Sequence, residues 1–572
     1  MMTGADNIAA ILRAQGIRTV FSLAGASHTY LLDALDRDGC KILSSRHESG
    51  AVGAADGYAR ALAAERPERP GVALIVSEQG IANAVGGLAV AYSLGSPVVV
   101  LAAIPPEGFV ERANTIASAQ LAIVEPVCKW AAIVPSSARL AEAVQCAIRA
   151  SLEGRPGPVV LFIPQDQFRA EVPEFVPQTF VWEGGKPDPE ALDHAAQLLR
   201  QAKRPIAIAG MGALRGRAAD ALQALAAKGV PVLGNGSGRG LVAEDGEQGW
   251  SWPYAQTMAN QADCVIVLGE ILTQRLGFGL PPRFAADASF IEISTDPESF
   301  DRNRQTNAAL CGEPGSTLES LLQRIEANDW STGWLKGGLE DKRALLDCLA
   351  GREGGTIHPL ALGQALAPYI NADTMLVGDG ADIQNWMYGA LTVTRPGGFM
   401  DHFPLGAMGS GTALAIGAAA ALAEQAEREG GAVPATLLVT GDGAIGFHPA
   451  ELHAAALANL NLKIVVGNDG AWGTEAHGQF KAIGRTINTD LGTLPYAKLA
   501  EAFGCEGLTC DIPEELAAAV AKLFAIDGPA LLDVGIDPEA GALLKTDPLA
   551  SSIHFNDLEE GQRKLAPQKD LP

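Results

Sequence analysis

ATLLVTGDGAIGFHPAELHAAALANLNLKIVVGNDGAWG, residues 435–473, contains two apolar strand patterns with a helical pattern between them. The first run, TLLVT, passes into Gly441-Asp442-Gly443, where two glycines permit a tight turn and close backbone approach around an aspartate. Pro449 suits the first turn of the helix PAELHAAALANL, and the second run, LKIVVG, ends at Asn468-Asp469-Gly470. In an open parallel sheet this unit sets Asp442 and Asn468 beyond the carboxyl ends of neighbouring strands, the edge at which ligands bind. One carboxylate, one amide oxygen and the Gly470 carbonyl make an all-oxygen donor set with positions left for diphosphate oxygens and water, as magnesium prefers. Taken singly, GDG and NDG are ordinary turns. Their occurrence on one βαβ unit points to a metal.

The same punctuation recurs outward from this segment. TVFSLAG, GVALIVS, SPVVVLAA and PVVLFIP precede it in the first 165 residues; PIAIAG, PVLGN, CVIVLGE and FIEIS form a middle set; TMLVGDG and ALLDVGID flank the opening unit. Uninterrupted apolar strands alternating with helical patterns indicate parallel sheets covered on both faces. The reading is an α/β chain of three doubly wound parallel-sheet domains, 1–170, 186–335 and 357–540. A charged, proline-containing linker lies near 170–190, and a polar tail without period covers 541–572.

The chain has 572 residues, enough for three or four domains, and 48% of them are hydrophobic, ample for separate cores. Its formal charge of −24 repels nucleic acid and anionic membranes, so neither is expected as a partner, and small-molecule chemistry is favoured. The eight cysteines form no CxxC pair and sit in apolar segments, as reduced thiols do. The N-terminus lacks a signal-peptide pattern, and the longest apolar run, 411–423, is too short to span a bilayer. A cytoplasmic protein is expected.

The GDG turn, its spacer and the asparagine closing the next strand resemble the diphosphate and metal motif of thiamine diphosphate-dependent enzymes. The resemblance implies Asp442, Asn468 and the Gly470 carbonyl as Mg²⁺ ligands, with Gly443 and Ala444 at the diphosphate. SSRHESGAVGAADGYAR, residues 44–60, resembles the helix whose glutamate bonds the aminopyrimidine, which assigns that role to Glu48. A carboxyl group in an apolar pocket beside a ring nitrogen shares its proton with the ring. Glu48 is otherwise an ordinary acid at a helix N-terminus. RPGGFMDHFPLGAMGSGTALAIGAA, residues 395–419, resembles the cofactor loop, so Gly406 offers its carbonyl to the 4′-amino group and Met408 supports the bent cofactor. Met408 is equally at home as a core residue.

The domain order resembles that of acetohydroxyacid synthases, benzaldehyde lyase, 2-hydroxyacyl-CoA lyases and oxalyl-CoA decarboxylase. It implies a homodimer or homotetramer with active sites at the subunit interface. His402 and Trp472 match benzaldehyde lyase, whereas Gly25-Ala26-Ser27-His28 shifts its histidine by one position or replaces it with Ser27. Ser77-Glu78-Gln79-Gly80 inserts two polar residues into a normally bland turn, making Glu78 and Gln79 substrate-facing candidates beside Ser27 and Trp472. The phenylalanine-glutamine-glutamate segment of acetohydroxyacid synthases is absent, with only Gln120 nearby. Glu475, at the start of the next helix, is a candidate acid or base alongside His402 and His28. AGMGALRGR at 209–217 reads as a glycine turn before a helix, and no flavin is expected.

The implied function is a thiamine diphosphate-dependent C–C lyase or carboligase acting on a carbonyl substrate, 2-hydroxy ketone or 2-oxo acid, through a C2-carbanion/enamine mechanism. A 2-hydroxyacyl-CoA lyase, with tail residues Lys545, Arg563, Lys564 and Lys569 near CoA phosphates, is the first alternative. A non-catalytic cofactor-binding homologue is the second.

Overall fold

The computed structural model describes residues 2–109, 119–181, 184–325, 330–350 and 355–540. Three six-stranded sheets carry the fold, and all of their strand pairs are parallel. Helices cover both faces, so strands such as Val98–Ile104 and Leu462–Asn468 are buried at every residue. This is why their sequences read as continuous apolar runs. The reading of three doubly wound units is borne out. The tail 541–572, with its four basic residues, lies outside the described residues.

The first sheet runs Lys41–Ser44, Thr19–Ser22, Gly71–Val76, Val98–Ile104, Val159–Pro164, Trp130–Ile133. The third runs Phe399–Asp401, Met375–Gly378, Thr436–Gly441, Leu462–Asn468, Ala530–Gly535, Glu506–Cys510, the same order when strands are counted within each unit. In both, strand order reverses between the first and third strands of the unit, where a ligand crevice opens. The reversal points are Thr19–Ser22 beside Gly71–Val76 and Met375–Gly378 beside Thr436–Gly441. The central sheet instead winds outward both ways from Pro205–Ala209 and Cys264–Leu268. A short antiparallel pair, Met2–Thr3 with Glu171–Val172, joins the ends of the first unit.

The outer units meet through equivalent helices, Glu48–Ala61 and Ser410–Glu429, each following the second strand of its unit. Small residues permit the contact: a β-carbon on Gly57 would lie 2.1 Å from the Leu414 carbonyl oxygen, and one on Gly417 would lie 1.9 Å from that of Ala54. A buried ion pair within the first helix holds Arg60 towards the third unit. Arg60 donates to both oxygens of Asp56 at 2.8 and 2.6 Å and, through Nη1, to the Asp401 carbonyl at 2.6 Å. Among the described residues, no helix is long and apolar enough to cross a membrane.

Because neither backbone can retreat without disturbing its sheet, Gly417→Ala is expected to destabilise the protein by about 1–3 kcal/mol, as overpacking does. Chemical denaturation measures this directly; an unchanged midpoint would contradict the close crossing.

Candidate functional site

Strand register fixes the heart of the site. Gly441 pairs with Gly467, so Asp442 and Asn468 leave adjacent strands side by side at the reversal point of the third sheet. The Asn468 amide nitrogen donates to the Leu494 carbonyl at 3.1 Å and to Asp533 Oδ1 at 3.0 Å, which turns its oxygen the other way. Asn468 Oδ1 and Asp442 Oδ2 are both buried without a hydrogen bond of ordinary geometry, whereas Asp442 Oδ1 accepts the Gly443 amide at 2.8 Å. Two buried acceptors at the ends of adjacent strands are costly unless something satisfies them.

Electrostatics point the same way. Burial pushes the Asp442 carboxyl up to about 6. Asp469 is pushed to about 8, first by burial and then by the charges of Asp442 and Asp382. A divalent cation would relieve both the desolvation and the mutual repulsion. The donor set therefore fits magnesium, with one qualification: the Gly470 carbonyl already accepts the Leu491 amide at 2.8 Å, leaving it one lone pair. Met408, Asp442, Gly443, Ala444, Trp472 and Glu475 line the adjoining cavity. Trp472 presses its ring so close to Gly443 that a β-carbon there would lie 2.4 Å from it, so only glycine fits.

The cofactor-loop candidates rest on Asp379, a fully buried carboxylate that the sequence reading passed over. It accepts amide hydrogens from Gly380 at 2.7 Å, Gly409 at 3.1 Å and Gly411 at 2.8 Å, anchoring the start of the helix Ser410–Glu429. Gly406 has φ of +78°, and its carbonyl accepts the Met408 amide at 3.0 Å. His402 is buried beneath this loop, 3.2 Å from Asp379 and stacked on Phe403, and does not line the cavity.

Glu48 begins its helix at the carboxyl edge of the first sheet and is buried. His47 caps that helix by accepting the Ser49 amide at 3.1 Å. Asn83 donates to Glu48 Oε2 at 2.9 Å, and Gly80 packs so near that a β-carbon would lie 3.2 Å from Oε1. Glu451, from the helix after Asp442, reaches across and accepts the Arg46 and His47 amides, both at 2.9 Å. Burial raises its pKa, with those amides opposing the shift.

The nearby turn is strained. Glu78 has φ of 57° and ψ of −99°, a conformation costing a residue with a β-carbon about 1–3 kcal/mol. Ser27 is half-buried and Gln79 exposed, whereas His28 is fully enclosed.

Six of the sequence candidates thus share one cavity, and Asn468 and Gly470 border it through the strand end. Glu48, Ser27, His28 and Gln79 belong to the first unit, none of whose residues line that cavity. Asp379 was legible, because TMLVGDG repeats the glycine-flanked aspartate at the end of the neighbouring strand. Glu451 gave no signal beyond an acid entering an alanine-rich helix. Met211, Gly212, Arg215, Gly216 and Arg217 wall a separate cavity of about 520 Å³ at the central sheet, with Arg155, Glu270 and Asp296 among its other walls.

Burial holds His28 down at about 4, with the Ile75 and Leu101 carbonyls opposing the shift only partly. The folded ring therefore binds its proton less readily than the unfolded one at 6.5. Its contribution to stability is complete above about pH 6.5 and is lost as pH falls towards 4, a change of about 3 kcal/mol. His28→Leu should flatten that part of the stability-versus-pH curve in denaturant titrations; parallel curves for the two proteins would contradict this.

Comparison with known proteins accounts for all three units. Residues 2–122 match the thiamine pyrophosphate enzyme N-terminal TPP binding domain, 192–321 the central domain and 359–534 the C-terminal TPP binding domain. The acetolactate synthase isozyme 2 large subunit of Escherichia coli (strain K12) is 30% identical over 548 residues, 94% of this chain and 96% of that one. A probable acetolactate synthase of Mycobacterium bovis is 29% identical over 545 residues, covering 93% and 95%. The 2-hydroxyacyl-CoA lyase 1 of Mus musculus is 27% identical over 571 residues, covering 94% and 95%. The chain belongs to the thiamine pyrophosphate enzyme family.

Proposed function

We propose that this protein is a thiamine diphosphate- and magnesium-dependent lyase or carboligase that makes or breaks C–C bonds in 2-hydroxy ketones or 2-oxo acids. The reading rests on the paired, unsatisfied oxygens of Asp442 and Asn468, in a chain that also buries Glu48 against Asn83. When bound, thiamine diphosphate would supply a C2 carbon that is nucleophilic towards carbonyls once deprotonated, and a thiazolium ring that accepts the electrons of the broken bond. Asp442 and Asn468 would hold the metal, with the free lone pair of Gly470 as third protein donor. Gly443 and Ala444 present the backbone to the diphosphate. Met408 would support the thiazolium ring, and Glu48 would hold a proton for the aminopyrimidine.

Glu475, exposed at the cavity mouth, is the acid or base for substrate oxygens, with Trp472 as an apolar wall. His402 acts through the loop it supports. Since the cavity at Asp442 takes all its lining from the third unit, Glu48 of the partner subunit completes it, giving a cytoplasmic homodimer or homotetramer. The chemistry is redox-neutral, so this reading needs no flavin. A 2-hydroxyacyl-CoA lyase is the second reading, favoured by the relatives of that name from mouse and rice.

Asp442→Ala should weaken magnesium-dependent thiamine diphosphate binding by more than about 100-fold, as loss of a buried charged partner does. Calorimetry checks this, and unchanged affinity would remove Asp442 from the metal site. Glu48→Gln should lower kcat/KM on whichever of pyruvate, benzoin and 2-hydroxyacyl-CoA is turned over, by roughly 10²–10⁴-fold. No turnover by the wild type, with cofactor affinity unaltered in the variant, would indicate a non-catalytic binding protein instead.

A further inference from the structure

Glu451 opens the helix Glu451–Leu457, the next helix after the short Asp442–Ile445 segment. An acid in a first helical turn is ordinarily solvated and serves the helix dipole. Glu451 is instead 2% exposed and reaches from the third unit into the first. Burying a carboxylate is unfavourable unless hydrogen bonds compensate, so the destination of those bonds shows what the side chain does. Both go to one turn: Oε1 accepts the amides of Arg46 and His47, each at 2.9 Å.

That turn carries the chain from the strand Lys41–Ser44 into the helix Glu48–Ala61. Its first amide, on Ser45, donates to the Ser22 carbonyl at 2.9 Å within the first sheet. The other two donate to Glu451, which therefore fixes the chain at the two residues before Glu48. The carboxylate is wedged in place: a β-carbon on Gly50 would lie 2.1 Å from its Oε1, so only glycine leaves room for it. A second contact comes from the same helix, where Arg46 Nε donates to His453 Nδ1 at 3.2 Å. Glu48 is thus held twice. Asn83 of the first unit holds its carboxylate at 2.9 Å, and Glu451 of the third holds the backbone leading into it.

We propose that Glu451 is a positioning residue for Glu48, fixing the turn from which the activating acid enters its helix. The inference rests on the reading of Glu48 as the acid that serves the aminopyrimidine. A subunit then gives Asp442 to one site and Glu48 to another, and Glu451 joins the two elements within the chain. What matters is the reach of the acceptor, not its charge. Glutamine keeps an oxygen at the same distance; aspartate keeps the charge but draws the oxygen back by a methylene; alanine leaves both amides without their acceptor.

Exchange of the thiazolium C2 proton for solvent deuterium, in thiamine diphosphate bound with magnesium to the full-length protein, reads the action of Glu48 without a carbonyl substrate. Proton NMR after acid quench follows it. Glu451→Ala and Glu451→Asp should slow it by about tenfold to 100-fold, the loss that a misplaced group brings, while Glu451→Gln stays within about threefold of the wild type. Adding Glu451→Ala to Glu48→Gln should slow it no further, because a residue acting through Glu48 has nothing left to position. Hydrogen–deuterium exchange of the backbone amides at residues 45–48, read by mass spectrometry without cofactor, should quicken about tenfold or more in Glu451→Ala and Glu451→Asp and be restored in Glu451→Gln. Unchanged amide exchange, or a further loss in the double variant, overturns the positioning role. So does C2 exchange in Glu451→Ala as fast as in the wild type when Glu48→Gln is slowed. A wild type that exchanges C2 no faster than Glu48→Gln overturns the reading of Glu48 instead, and the amide exchange then decides whether Glu451 holds the turn.

Discussion

Two glycine-lined helices, Glu48–Ala61 and Ser410–Glu429, lie backbone against backbone, and that contact sets the half-sites of the two outer units at a fixed relation within the chain. The first begins with the proposed activating acid; the second anchors the loop of Gly406 and Met408. Their crossing leaves no room for a β-carbon at Gly57 or Gly417, so it fixes one outer unit against the other. Within the first helix Asp56 pairs with Arg60, whose charge-assisted bond to the carbonyl just before His402 links the two units. Such a buried pair is better read as fixing register than as a large source of stability.

The second constraint is electrostatic. Asp442, Asp469 and Asp382 lie close enough to repel one another, and the first two are driven towards protonation. A site left like this is unfavourable for an isolated chain. A cation entering there would relieve it, and metal binding would then be linked to the stability of the strand ends. Asp379 lies one strand away and is fully satisfied by amides, which explains why it serves as an anchor and Asp442 is suited to ligation.

Sequence alone carried the architecture because buried parallel strands leave an unmistakable apolar signature, and it carried Asp442 and Asn468 because βαβ spacing dictates their register. Glu48 was legible only through family likeness, since a helix-starting acid is commonplace. The enclosure of His28 was not legible. A one-residue shift in a short turn decides whether a ring faces inward, and no periodicity marks it. Glu451 was missed for a related reason: its partners, the amides of Arg46 and His47, lie about four hundred residues earlier. The strain at Glu78 likewise resides in a backbone dihedral that no pattern of residue types encodes.

The most direct test of the central claim is a crystal structure of the full-length protein with thiamine diphosphate and magnesium. The account predicts a metal held by Asp442 Oδ2 and Asn468 Oδ1 of one subunit, with Glu48 of the partner subunit hydrogen-bonded to the aminopyrimidine ring. A metal bound elsewhere, or a cofactor bound with no Glu48 from either subunit in contact with that ring, would contradict it.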